Sequence, residues 1–140
     1  MSQIHVDIVS AEGEIHSGEA QMVFAPAEVG EVGIAPQHAP LLTRLKPGTV
    51  RVQTLDGQML PFFVGGGILE VQPHLVTVLA DTALRPQDAD ESAAQAAKAE
   101  AEQRLAGAST ETDLAKAQAE LVEAAARLEF VRKLRAPSHH

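Results

Sequence analysis

Apolar and polar residues alternate through most of the first eighty positions, and a longer period takes over after them. Ile4, Val6 and Ile8 alternate with His5 and Asp7, the period-two pattern of a strand buried on one face. Ile15 and then residues 22–24 predict two further short strands, with the turn-prone Ser17-Gly18 between them. Val50 and Val52 alternate with Arg51 and Gln53, and Asp56-Gly57 separates the runs 49–55 and 58–64. That arrangement predicts a hairpin closed by a type I′ turn. Leu69 and Val71 continue the alternation, Pro73-His74 turns the chain, and Val76 and Val78 form a last strand. The spacing predicts an all-β N-terminal domain, a flattened antiparallel β-sandwich or barrel of about 8–10 strands.

One stretch interrupts the alternation. Residues 30–48 hold Pro36, Pro40 and Pro47, each lacking a backbone donor, so neither a helix nor a central strand is expected to run through. Gly30, Gly33 and Gly48 permit a close backbone approach, yet Ile34, Leu41, Leu42 and Leu45 are apolar. The combination predicts a shaped, partly buried connection lying over a core.

After Asp81 the character changes. Arg85-Pro86-Gln87-Asp88 is a polar link, alanine is abundant from Ala89 to Ala126, and residues 107–110 break this stretch in two. Asp88 or Asp90 is placed to cap a first helix, and Thr110 or Thr112 a second, with Thr110 and Asp113 at capping-box-like spacing. Leu114, Ala117, Leu121, Ala124, Leu128 and Val131 recur at three- and four-residue intervals, one apolar stripe on the second helix. The first helix offers mainly Ala94, Ala97 and Ala101, with Leu105 its one large aliphatic. The expected organisation is a β domain over 1–85 and an antiparallel two-helix hairpin over 86–140. Because buried Ala contributes little and helices below ~12–15 residues are marginal alone, docked and undocked states of such a hairpin are expected to lie close in energy.

Composition narrows the function. With 45% hydrophobic residues but only 3% aromatic ones, the core is aliphatic. The net charge of −8 argues against nucleic acid as a partner. The charge is uneven: residues 127–140 carry Arg127, Arg132, Lys133 and Arg135 against Glu129, while the first 126 hold seven basic and eighteen acidic groups. Cysteine is absent, which removes disulfides and thiolate chemistry. No secretory leader is expected from the first residues, and no apolar run approaches the ~20 residues that span a bilayer, so direct membrane insertion is not expected. The nucleophile-elbow, zinc-protease and P-loop patterns are missing. Gly65-Gly66-Gly67 lacks the Lys-Ser/Thr of a phosphate cradle and reads as a bulge or tight turn. His5, His16, His38 and His74 lack paired metal-ligand spacing and read as structural or surface residues, and Glu12 and Glu14 as a solvated edge. No catalytic, metal or cofactor site is expected. His139 and His140 read equally as natural residues or as an appended pair.

The run G-E-V-G-I-A-P-Q-H-A-P-L-L-T-R-L-K-P-G at 30–48, with residues 65–71 and 78–83 in order and spacing, closely resembles the epsilon subunit of the bacterial F-type ATP synthase, counterpart of the mitochondrial delta subunit. The resemblance covers nearly all of residues 3–91 and continues as composition and pattern beyond. It implies a non-catalytic central-stalk subunit, peripheral on the cytoplasmic face of the bacterial plasma membrane. Such a subunit links gamma to the c-subunit ring, couples rotation to ATP synthesis and inhibits ATP hydrolysis through its hairpin. The resemblance places Glu31 against the c ring and Ser10, His38 and Thr43 against gamma. It also brings the extended hairpin, with Arg127, Arg132, Lys133 and Arg135, to the alpha/beta catalytic head. Some relatives bind ATP through a motif whose positions here are Ala89 to Ala94. Its Arg is replaced by Ala93, which removes the guanidinium fork, so ATP sensing is not expected. The competing reading from the residues is a stand-alone β-sandwich module for a small ligand.

Overall fold

A computed structural model describes residues 2–135. Seven strands come first: β1 (Ile4–Ser10), β2 (Gly13–Ala27), β3 (Gly30–Ile34), β4 (Leu41–Thr54), β5 (Met59–Gln72), β6 (Leu75–Ala80) and β7 (Ala83–Leu84). A 3-10 turn at Pro86–Asp88 leads to α1 (Glu91–Ala106) and α2 (Glu111–Arg135). Two compact units result, Met1–Arg85 and Pro86–His140.

The strands close on themselves. Hydrogen-bonded neighbours run β1-β6-β5-β4-β2, and β2 pairs β1 again. Among the described residues only the β1–β6 seam is parallel. On one side of β2, β1 covers Gly13–Ala20 and β3 covers Val23–Ala27. Closure through the β1–β2 pairing removes the open edge that β1 would otherwise present. Strand alternation does the rest: Ile4, Val6 and Ile8 of β1 fill the interior with Val23, Val50, Val52, Leu69, Val76 and Val78, all at 0% exposure. Each such side chain contributes about 1.5–3 kcal/mol over its exposed state.

The strands are fewer and longer than the expected 8–10, because β2, β4 and β5 each run 14 or 15 residues and serve two sets of neighbours. The glycine run explains one such change of partner. β5 pairs β7 at Phe63 and Val64 and β6 from Gly67 onward, so residues 65–67 are a bend within a continuous strand and not a turn. Gly67 has φ +136°, and a Cβ on it would lie 2.1 Å from the Leu79 carbonyl oxygen.

Pro47 does sit inside a strand, contrary to the sequence expectation. It pairs Gly65 of β5, while on its other side the β2–β4 register jumps between Ala27–Leu45 and Phe24–Arg51. The missing donor therefore falls at an irregularity in the ladder. The β4–β5 hairpin is present, but Asp56 does not adopt the positive φ that type I′ requires. The Gly57 N–H donates to the Thr54 carbonyl, that of Thr54 to the Gln58 carbonyl, and Gly57 has φ +87°. This is a three-residue loop with a glycine bulge. Thr54 braces it, donating through Oγ1 to Asp56 and accepting from the Gln58 N–H.

In the helical unit, Asp90 caps α1 by accepting from the Ala93 N–H at 3.2 Å, and Thr110 Oγ1 accepts from the Asp113 N–H at 3.0 Å. α1 buries Ala94 and Ala101, and α2 buries Ala117, Ala124, Leu128, Phe130 and Val131. Leu114, expected in the stripe, is 41% exposed, since it stands in the first turn of α2, where the seam has yet to form. With 16 and 25 residues, the helices exceed the marginal length, so their helicity needs the seam less than the sequence suggested.

Candidate functional site

Four groups of polar side chains stand out. The first lies on the outer face of the β1–β2 ribbon. His5 and Asp7 alternate with buried residues on β1, and the antiparallel register sets Glu19 opposite His5 and Ser17 opposite Asp7. His5 is held between two carboxylates, with Nδ1 on Glu19 and Nε2 2.9 Å from Asp7. Ser17 Oγ donates to Asp7 at 2.7 Å and lies 3.1 Å from His5 Nε2, and Gln3 donates to Glu19 at 2.8 Å. The Glu19 hydrogen bond, with Asp7 adding to it, raises the His5 pKa, and that of Glu19 is lowered in return. Asp7 is lowered chiefly by the Ser17 hydrogen bond. An imidazole flanked by two carboxylates favours its charged form and so is a poor base toward Ser17, whose own proton goes to Asp7. The group is a structural ladder. Sequence reading treated these histidines separately; the signal lay in outward parity on two strands joined by a short turn. His16 is the opposite case. Burial lowers its pKa, and its ring packs against Phe62, tilted by 39° at 4.9 Å between centroids.

The second group surrounds Glu31. β3 returns along β2, with Pro26 opposite Glu31 and Phe24 opposite Gly33. Arg51 of β4, opposite Phe24 on the other side, lays its guanidinium 4.6 Å from the Phe24 ring centre and donates from Nη2 to Glu31 Oε1 at 2.6 Å. At the hairpin tip Val29 is 90% exposed. Sequence reading named Glu31 without Arg51, whose partnership arises from strand order.

The third group is dispersed. Ser10 ends β1 on the inward parity and is 8% exposed, with its Oγ accepting from the Glu12 N–H at 3.2 Å. Thr43 pairs Leu69 in mid-ladder. His38 lies in the 35–40 loop, where its Nδ1 is 2.6 Å from the Ala39 carbonyl, next to Gln37, whose N–H donates to Pro73. The β1–β6 ribbon runs from His74 near that loop to Val9–Leu79, so Ser10 and His38 lie at opposite ends of it. The structure does not gather these three into one site.

The fourth group belongs to the helices. Glu91 at the start of α1 receives Arg135 at 3.2 Å and Arg132 at 3.6 Å. Lys133 pairs Glu129 within α2 at 3.0 Å. Arg104 joins Glu100 to Glu120 of α2. Arg127 lines a groove of about 230 Å³ between the helices with Glu100, Arg104, Glu120 and Glu123, and its Nε is buried without a hydrogen-bond partner. Among the described residues no group of three His, Cys, Asp or Glu side chains is placed to hold a metal, and no helix is long and apolar enough to cross a membrane. His139 and His140 lie outside the described residues.

These features define a two-module chain, a closed β-barrel followed by a helical hairpin. A family model described as the beta-sandwich domain of the ATP synthase Delta/Epsilon chain matches residues 3–86, and that of its long alpha-helix domain matches residues 87–131. The chain belongs to the ATP synthase delta/epsilon family. It is 61% identical to the ATP synthase epsilon chain of Nitrosococcus oceani over 94% of each chain, and 59% identical to that of Alkalilimnicola ehrlichii over 96% of each. It is 55% identical to that of Xanthomonas campestris pv. campestris along the whole of both. These relatives are structural rather than catalytic subunits of the synthase. The fold is shared with a chain of the Euglena gracilis mitochondrial ATP synthase at TM-score 0.76 and 18% identity, over 90% of this chain and 79% of that one. A chain from the central stalk and c ring of the Tetrahymena thermophila enzyme gives TM-score 0.59 at 15% identity, over 94% and 96%.

Proposed function

We propose that this chain is a rotor subunit of a proton-translocating F-type ATP synthase. It joins gamma to the c ring, carries rotation toward ATP synthesis and restrains ATP hydrolysis through its hairpin. The observation that carries the reading is identity of 55–61% with epsilon chains over 94% or more of both partners, which spans barrel and hairpin alike. In this reading residues 1–85 bind the rotor, with Glu31 meeting the c ring and Ser10, His38 and Thr43 facing gamma. Their dispersal suits an extended contact rather than a pocket. The chain then works at the cytoplasmic face of the bacterial plasma membrane, held there by its partners.

The hairpin supplies restraint when it opens toward the alpha/beta head. In the closed hairpin Arg132 and Arg135 are engaged by Glu91 and Lys133 by Glu129. Opening frees the first two for an acidic surface of a catalytic beta subunit, joined by Arg127. The ATP motif is spent on structure: its Asp90 caps the helix through the Ala93 N–H, and Ala93 offers no cation. Crosslinking within the assembled synthase tests the reading, from position 31 to the c ring and from position 38 to gamma. Absence of both products overturns the rotor placement. Changing Arg127, Arg132, Lys133 and Arg135 together to Ala is expected to raise ATP hydrolysis with synthesis less affected. Unchanged hydrolysis in an assembled enzyme at low salt overturns the restraint.

A further inference from the structure

The Glu31 turn combines two features that conflict in a bare contact surface. Val29, at its tip, is 90% exposed, and a partner that covers this apolar side chain also draws water from the neighbouring carboxylate. Glu31 is not left to face that alone. Strand register places Phe24 between Gly33 and Arg51 and sets Glu31 two residues along, opposite Pro26. Gly33 leaves room for the Phe24 ring over the β3 backbone, since a Cβ there would lie 3.3 Å from Phe24 Cε1. The ring supports the Arg51 guanidinium at 4.6 Å, and the guanidinium reaches diagonally across β2 to Glu31 Oε1 at 2.6 Å. Arg is suited to this double role because its planar fork stacks on a ring while donating to a carboxylate.

We propose that Arg51 is a positioning residue that carries Glu31 into the rotor interface as a preformed, charge-neutral pair beside Val29. The partner surface would then be a hydrogen-bonding loop segment with an apolar notch that receives the pair intact. The proposal rests on the reading of this turn as the c-ring contact. Removing one member of a desolvated pair leaves an uncompensated charge, whereas removing both does not. The two effects therefore oppose each other.

The test is binding of the full chain to a gamma–c-ring assembly of the same synthase prepared without it. Hydroxyl-radical footprinting of Val29 accompanies the affinity measurement. Arg51→Gln is expected to weaken binding about tenfold or more. The double variant Glu31→Gln, Arg51→Gln should bind better than Arg51→Gln alone, within about threefold of the unmodified chain. If Val29 is protected but Arg51→Gln binds like the unmodified chain, or the double variant is as weak as Arg51→Gln, the proposal is overturned and the contact stands. If Val29 stays unprotected in the bound state, the contact reading falls and the proposal falls with it.

Discussion

The two units are held together by different kinds of side chain. The barrel closes over Val, Ile and Leu at essentially zero exposure. The hairpin seam is Ala94 and Ala101 against Ala117 and Ala124, with large apolar burial confined to the last turns of α2 at Leu128, Phe130 and Val131. A methyl group removes far less apolar area from water than a branched side chain. One unit is therefore expensive to deform, and the other consists of two sound helices whose pairing is cheap to undo. That contrast suits the proposed role, in which the first part stays attached while the second part changes partners.

The contrast predicts a hierarchy of substitutions. The largest effect is expected at Gly67→Ala, where a Cβ would press on the Leu79 carbonyl at a φ that side chains avoid. Strain and overpacking together should cost the barrel about 3–6 kcal/mol, read by urea denaturation of the near-ultraviolet and β signals. A stable Gly67→Ala barrel would show that the ladder slips more easily than its closure implies. Leu69→Ala, at a fully buried position, should cost about 2–5 kcal/mol. Hairpin helicity at 222 nm should survive conditions that melt this barrel, and a single joint transition would dissolve the distinction between the units. Ala101→Gly in the seam should cost only about 1 kcal/mol, seen as lost helicity with the barrel midpoint unmoved.

The smallest effect separates the barrel surface from its core. His5 has a raised pKa, so its contribution is complete below the ordinary imidazole value and fades as pH rises through the raised one. Asp7 and Glu19 have lowered values, so theirs is present above the usual carboxylate range and fades as pH falls. The ladder should therefore contribute most at about pH 5–6.5. The thermal midpoint difference between the unmodified chain and His5→Gln should be largest there and shrink toward pH 9. A difference that grows with pH would mean the imidazole is held neutral.

The alternation of Ile4, Val6 and Ile8, the turn at Asp56-Gly57 and the caps at Asp90 and Thr110 were legible because each is a local choice of the chain. What escaped was non-local. Pro47 ruled out a regular ladder on one side only, and the β2 register that excuses it lies twenty residues away. Gly65-Gly66-Gly67 reads from the sequence as a bulge or tight turn between two strands, and only the pairing shows it as a bend within one long strand. Arg51 joined Glu31, and Glu19 joined His5, through strand pairing that no single stretch announces. The four cations at the end of α2 are visible as a run, but the engagement of Arg132 and Arg135 by Glu91 depends on where the hairpin folds back.

The parallel seam between β1 and β6 has a consequence for synthesis of the chain. β1 pairs β2 as soon as both have left the ribosome, but its other ladder runs from Leu75 to Leu79. Until that segment emerges, the nascent sheet keeps the outer edge of β1 unpaired, available to any other extended strand. Slow translation between residues 27 and 75 would prolong this exposure, so pausing there should favour aggregation, and faster codons should relieve it. Once β6 is in place the barrel can shut while α1 and α2 are still being made. The hairpin is thereby born after the barrel interior is sealed, and its thin alanine seam never has to compete with the β core for partners.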